Sequence, residues 1–164
     1  MIEHFKEDDI RNSLKDRLKA AGCSVFKEVN RIDLLAIKNG KNYGFELKST
    51  SGDCHKALGQ AVGNSKCVDF SYVVLPEKIV NEDFLQTLQM TGIGLVVVDK
   101  YFSFKLKRES QEFYPTKIPI ISKKKLKLNL AEESPTRPTR SGFRSKVKKK
   151  NSWKRRFSLS LQDF

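Results

Sequence analysis

Residues 31–48 read Arg31-Ile32-Asp33-Leu34-Leu35-Ala36-Ile37-Lys38-Asn39-Gly40-Lys41-Asn42-Tyr43-Gly44-Phe45-Glu46-Leu47-Lys48. Two strand-like runs flank an Asn-Gly pair, the strongest local signal for a two-residue type I′ hairpin turn. With Asn39 and Gly40 at the bend, Lys38 faces Lys41, and opposed residues have numbers that add to 79. Asp33 then lies opposite Glu46 on one face, with Cβ atoms ~4.5–5.5 Å apart. Lys48, two residues beyond Glu46, projects from that same face. Leu34, Leu35, Ala36 and Ile37 make both faces of the first strand apolar, as in a buried strand. Two carboxylates thus enter an otherwise apolar sheet, where charge needs a reason to be.

Outward from the hairpin, the pattern predicts an α/β domain. Residues 8–21 carry Ile10, Leu14, Leu18 and Ala21 at helical spacing, with Gly22 as the stop. Residues 24–29 read as a strand, and the hairpin strands span 31–38 and 42–49. Ser49-Thr50-Ser51-Gly52 breaks the pattern, and Asp53 is the expected N-cap of a helix over 54–67. That helix has an apolar stripe of Ala57, Leu58, Ala61 and Val62. A strand over 71–75, a short helix over 82–90 capped by Asn81, and strands over 95–98 and 101–107 follow. The order α-β-β-β-α-β-α-β-β predicts one mixed sheet with helices packed on it.

The charge divides the chain. Of 164 residues, 32 are Lys or Arg and 19 Asp or Glu, a net charge of +13. Residues 1–114 hold 17 basic against 16 acidic side chains, and residues 115–164 hold 15 against 3. Four of the five prolines also fall after residue 114. This predicts a nearly neutral domain over 1–112 and a basic C-terminal extension over 113–164 that meets a polyanion. Within the extension, residues 125–130 alternate Lys with apolar side chains as an added edge strand would, and 132–142 read as a linker. Lys146, Lys148, Lys149, Lys150, Lys154, Arg155 and Arg156 are expected on backbone phosphates. Phe143, Trp153 and Phe157 are expected either to stack on unpaired bases or to pack back on the domain. No stretch approaches the ~18–20 apolar residues of a membrane span. The first residues have no apolar leader segment, and Cys23, Cys54 and Cys67 show no paired or zinc-ligand spacing. Reduced thiols in the cytoplasm are the expectation.

Two opposed carboxylates repel, and a shared proton or a divalent cation relieves that. Oxygen-only ligands favour Mg²⁺ or Mn²⁺. An adjacent lysine can orient or deprotonate a water, or offset charge on a phosphate. These are the parts that phosphodiester hydrolysis needs. Lys56, on the next helix one turn before Gln60, is a candidate phosphate contact, and Glu28, ahead of the hairpin acids, is open as a further acid. His4 and His55 stand alone and carry no general-base reading.

Asp33, then Glu46-Leu47-Lys48, resembles the D…ExK signature of the PD-(D/E)XK nuclease superfamily, with Ile32 where the family's name has proline. Residues 8–75 are similar to its α-β-β-β-α-β core, and 93–107 would complete the sheet. Within that superfamily the chain resembles archaeal Holliday-junction resolvases and the nuclease domains of type I restriction motor subunits alike. The resemblance implies a restriction-endonuclease-like fold and a Mg²⁺- or Mn²⁺-dependent endonuclease acting on DNA, with branched intermediates among its substrates. It implies metal ligation by Asp33, Glu46 and the Leu47 carbonyl, a catalytic Lys48 and a supporting Gln60. It also implies an acid on the first helix, for which Glu7 fits best, with Glu3 and Asp9 open and Arg11 standing where some relatives place it. Many relatives pair as homodimers. The rival expectation is a non-catalytic nucleic-acid-binding protein that keeps the fold, and RNA in place of DNA stays open.

Overall fold

The computed structural model describes residues 6–116. The basic run at 146–156, its aromatic residues, the alternating stretch at 125–130 and Glu3 lie outside the described residues. Helix α1 (Glu7–Ala20) leads into strands β1 (Ser24–Val29), β2 (Ile32–Lys38) and β3 (Lys41–Leu47). Helix α2 (Cys54–Asn64), β4 (Phe70–Pro76), α3 (Glu82–Gln89), β5 (Gly94–Val98) and β6 (Phe104–Arg108) follow. The strands form one six-stranded mixed sheet in sequence order. β3, β4 and β5 run parallel, and β1–β2, β2–β3 and β5–β6 pair antiparallel.

The Asn-Gly turn forms as the sequence indicates. Asn39 and Gly40 both take positive φ, 52° and 77°, as a type I′ bend requires. The β2–β3 ladder pairs Lys38 with Lys41 and proceeds in the expected register to Leu34 with Phe45.

α1 covers one face of the sheet. Its Ile10, Leu14 and Leu18 pack with Leu34, Phe45, Val74 and Val96. α2 and α3 cover the other, where Ala57, Leu58, Ala61, Phe84 and Leu88 meet Val73, Leu75, Leu95 and Val97. Each of these large side chains contributes ~1.5–3 kcal/mol by leaving water. The central strands are buried on both sides, which is why they read as apolar runs rather than alternating ones. Gly94 is required where it stands, because a Cβ there would meet the Tyr72 ring at 2.3 Å.

Several boundaries differ from the sequence reading. α2 ends at Asn64, and its buried stripe is Cys54, Ala57, Leu58 and Ala61, while Val62 is 41% exposed. The helix turns Val62 past the edge of the apolar face, and a one-residue error in helical phase is enough to misplace it. Asp53 makes no capping bond. Its carboxylate accepts instead from Thr50 Oγ1 at 2.7 Å. Asn81 does cap α3, accepting from Phe84 N–H at 2.8 Å. β6 begins at Phe104 because residues 99–103 form a tight loop around the Asp99 carboxylate, which accepts from Tyr101 and Ser103 N–H. Cys23, Cys54 and Cys67 form no disulfide, and the first two are buried. Among the described residues, no helix is long and apolar enough to cross a membrane.

Candidate functional site

The acids meet where the hairpin ladder stops. Beyond the Leu34–Phe45 pair, the Leu47 N–H donates to Asp33 Oδ2 at 2.9 Å instead of to the β2 backbone. The side chain of Asp33 thus replaces a ladder bond, and the two strands part at the level of the acids. The same opening occurs on the other side of Asp33. β1 pairs Lys27 with Leu34 and Val29 with Ile32, leaving Glu28, which would oppose Asp33, out of the ladder. Glu28 takes a φ of 52°. A non-glycine residue in that region costs ~1–3 kcal/mol. The bend at Glu28 falls next to the tight Asn30–Arg31 turn, where both residues also take positive φ.

Glu46 is fully buried. Its Oε1 accepts from Asn64 Nδ2 at 2.5 Å, and its Oε2 has no partner. Burial, followed by the Asp33 charge, pushes the Glu46 carboxyl up to about 8. The Asn64 bond and the Lys48 charge oppose the rise without cancelling it. Glu46 is therefore protonated through neutral pH unless a cation joins it.

Lys48 follows β3 directly, and its backbone N–H bonds to the Val74 carbonyl at 3.2 Å. Its Nζ donates to the Leu47 carbonyl at 2.8 Å and to Glu7 Oε2 at 3.4 Å, and lies 3.8 Å from Asp33 Oδ2. The ammonium thus sits among the oxygens of a strand end, a helix start and a neighbouring strand. Arg11, one turn into α1, bonds Glu7 at 3.0 Å and Asp8 at 2.9 Å, and approaches Glu28 at 3.6 Å and Asp33 at 3.9 Å. Glu7 at the start of α1 therefore reaches the site through Lys48, while Asp9 is exposed.

The structure brings together Asp33, Glu46, Leu47, Lys48 and Glu7. Gln60 and Lys56 are exposed on α2. The helix residue that touches Glu46 is Asn64, one turn beyond Gln60, which sequence spacing alone did not single out. His55 is exposed, 3.5 Å from Asp83 and away from the carboxylates.

The donor set suits a hard divalent cation. An orphaned buried carboxylate oxygen, a second carboxylate beside it and the Leu47 carbonyl, which accepts from Lys48 Nζ, are all hard oxygen donors. A cation among them would offset the burial and the Asp33 repulsion that together keep Glu46 protonated. Among the described residues no three His, Cys, Asp or Glu side chains converge as a ready metal group. Water and substrate oxygens would have to complete the shell, as is usual for Mg²⁺. No protein-family model matches the chain, and no curated protein matches it.

Proposed function

We propose that this protein is a Mg²⁺- or Mn²⁺-dependent endonuclease of the PD-(D/E)XK type, hydrolysing DNA phosphodiester bonds at the Asp33–Glu46–Lys48 centre. The observation that carries the reading is the buried Glu46 carboxyl with an unpartnered oxygen, set beside Asp33 and within the field of the Lys48 ammonium. A structural ion pair has no need of a second buried acid. The C-terminal ends of parallel strands are also where open α/β sheets collect their ligands.

In this reading Asp33, Glu46 and the Leu47 carbonyl would hold the cation, which would polarise the phosphate and acidify a water. Lys48 Nζ then offers its protons to the scissile phosphate and offsets the charge that builds at the pentavalent centre. Asn64 fixes the rotation of Glu46 through its bond to Oε1. Glu7 and Arg11 keep Lys48 and Asp33 in place from the α1 side. The basic residues beyond 116 add affinity for the DNA backbone.

A second reading keeps the fold and the nucleic-acid binding but not the cutting. It is favoured by the pairing of Lys48 with Glu7 and of Arg11 with Glu7 and Asp33, which neutralises these acids without a metal. A nicking assay on branched, single-stranded and linear duplex DNA decides between them. The nuclease reading expects cleavage that needs Mg²⁺ or Mn²⁺ and is lost in Asp33→Asn, Glu46→Gln and Lys48→Ala with DNA binding retained. Cutting that persists in all three variants, or none by the wild type with either metal, overturns it.

A further inference from the structure

The β5–β6 loop stands at the same end of the sheet as the carboxylates. Leu47 is in register with Val74, and Val74 with Val96, so β5 carries the chain past the site two strands away. Asp99 is three residues beyond Val96, roughly 10 Å along the strand direction. Two strand spacings add ~9.6 Å sideways, so the loop lies about 14 Å from the site. That is roughly four stacked nucleotide steps at ~3.4 Å each.

The loop is built to present one ring outward. Asp99 accepts from the Tyr101 and Ser103 N–H groups at 2.8 and 3.0 Å, and the Asp99 and Ser103 backbones close the bend. Phe102 takes a φ of 57° and turns in against the core face covered by α1. Its neighbour Tyr101 is left 78% exposed. Lys100 Nζ stands 4.9 Å from the centre of the Tyr101 ring. Asp99 is the local anion, but its carboxylate is occupied by backbone donors and flanked by Lys100 and Lys105. An exposed aromatic ring on a braced loop beside a cation is a combination that stacks on an unpaired base and meets its phosphate.

We infer that Tyr101 and Lys100 form a stacking platform for unpaired DNA bases flanking the cleavage position, so that the preferred substrate has a single-stranded or frayed segment there. The inference rests on the nuclease reading for its purpose, but binding alone tests it. The full-length protein is titrated in EDTA with a fluorescent oligothymidine and with a duplex of equal length, at a salt concentration high enough to weaken phosphate contacts. Tyr101→Ala is expected to weaken oligothymidine binding about tenfold and duplex binding by less than twofold, while Tyr101→Trp restores it. Lys100→Ala is expected to weaken oligothymidine binding a few-fold. Tyr114→Ala serves as the control. Tyr114 is 88% exposed but lies beside Phe113, whose N–H bonds Asp69 at the opposite end of the sheet. Equal affinities of wild type and Tyr101→Ala for oligothymidine overturn the inference, as does an equal loss on duplex. Because no metal or cleavage enters the measurement, a wild type that stacks but does not cut rejects the nuclease reading and leaves the platform standing.

Discussion

The two ends of the β3–β4 ladder treat charge in opposite ways. At the Asn-Gly end, Lys41 bonds Glu112 at 2.5 Å and lies 3.6 Å from Asp69, whose other oxygen accepts from the Asn42 N–H. Every one of these groups has a partner of opposite sign or a backbone donor. The segment after β6 is tied to the same end, through Gln111 N–H to the Gly92 carbonyl and Phe113 N–H to the Asp69 carbonyl. At the other end, Glu46 is buried with an oxygen unpartnered, the ladder is open around Asp33, and Glu28 is held at positive φ. One end resolves its charges within the chain, and the other keeps an unresolved acid where water is scarce. Strained backbone and perturbed buried acids cluster at working sites, which is what the nuclease proposal draws on.

The largest expected break in that contrast comes from the acids. Asp33→Asn or Glu46→Gln should lower metal-dependent cleavage at least a thousandfold, measured as nicking rate at saturating metal. Next comes metal itself. Saturating Mn²⁺ should raise the melting temperature of the wild type by roughly 5 °C or more, through binding to the folded state alone. It should leave Asp33→Asn and Glu46→Gln unmoved.

The third effect is on stability against pH. The Glu46 carboxyl is raised to about 8 in the folded protein, well above its ordinary range near 4.5. Between those values the folded state binds the proton and the unfolded chain does not, so unfolding free energy falls as pH rises. Below the lower value both states are protonated and the penalty is absent. Glu46→Gln cannot ionise. It should therefore gain on the wild type by roughly 3–4 kcal/mol between pH 5 and pH 8 in EDTA, measured by urea unfolding. The smallest effect belongs to the satisfied end. Lys41→Ala should leave the melting temperature nearly unchanged and cleavage intact, because exposed ion pairs contribute little.

Much of this architecture is legible in the chain. The Asn-Gly pair sets the turn, the turn sets the register, and the register brings Asp33 and Glu46 to one level. The runs around Val73 and Val96 mark doubly covered strands, and Asn81 marks a helix start by its own side-chain chemistry. What escapes the sequence depends on three-dimensional phase. Gln60 and Asn64 are one helical turn apart, and only the distance from α2 to β3 decides which of them reaches Glu46. The left-handed turn at Glu28 has no local cue, since glutamate does not favour that region. It sits beside the tight Asn30–Arg31 turn that joins β1 to β2. Arg11 looked like a departure from an acidic position, and in space its guanidinium lies against Glu7, Asp8, Glu28 and Asp33. The basic extension shows itself through composition alone.

The proposed centre is tested most directly by growing crystals of the full chain, soaking them in Mn²⁺ and measuring anomalous diffraction at the manganese edge. The expected result is a single strong peak within ligand distance of both the Asp33 and Glu46 carboxylates, absent from Glu46→Gln crystals. A map with no peak between those two side chains at saturating Mn²⁺ would contradict the account.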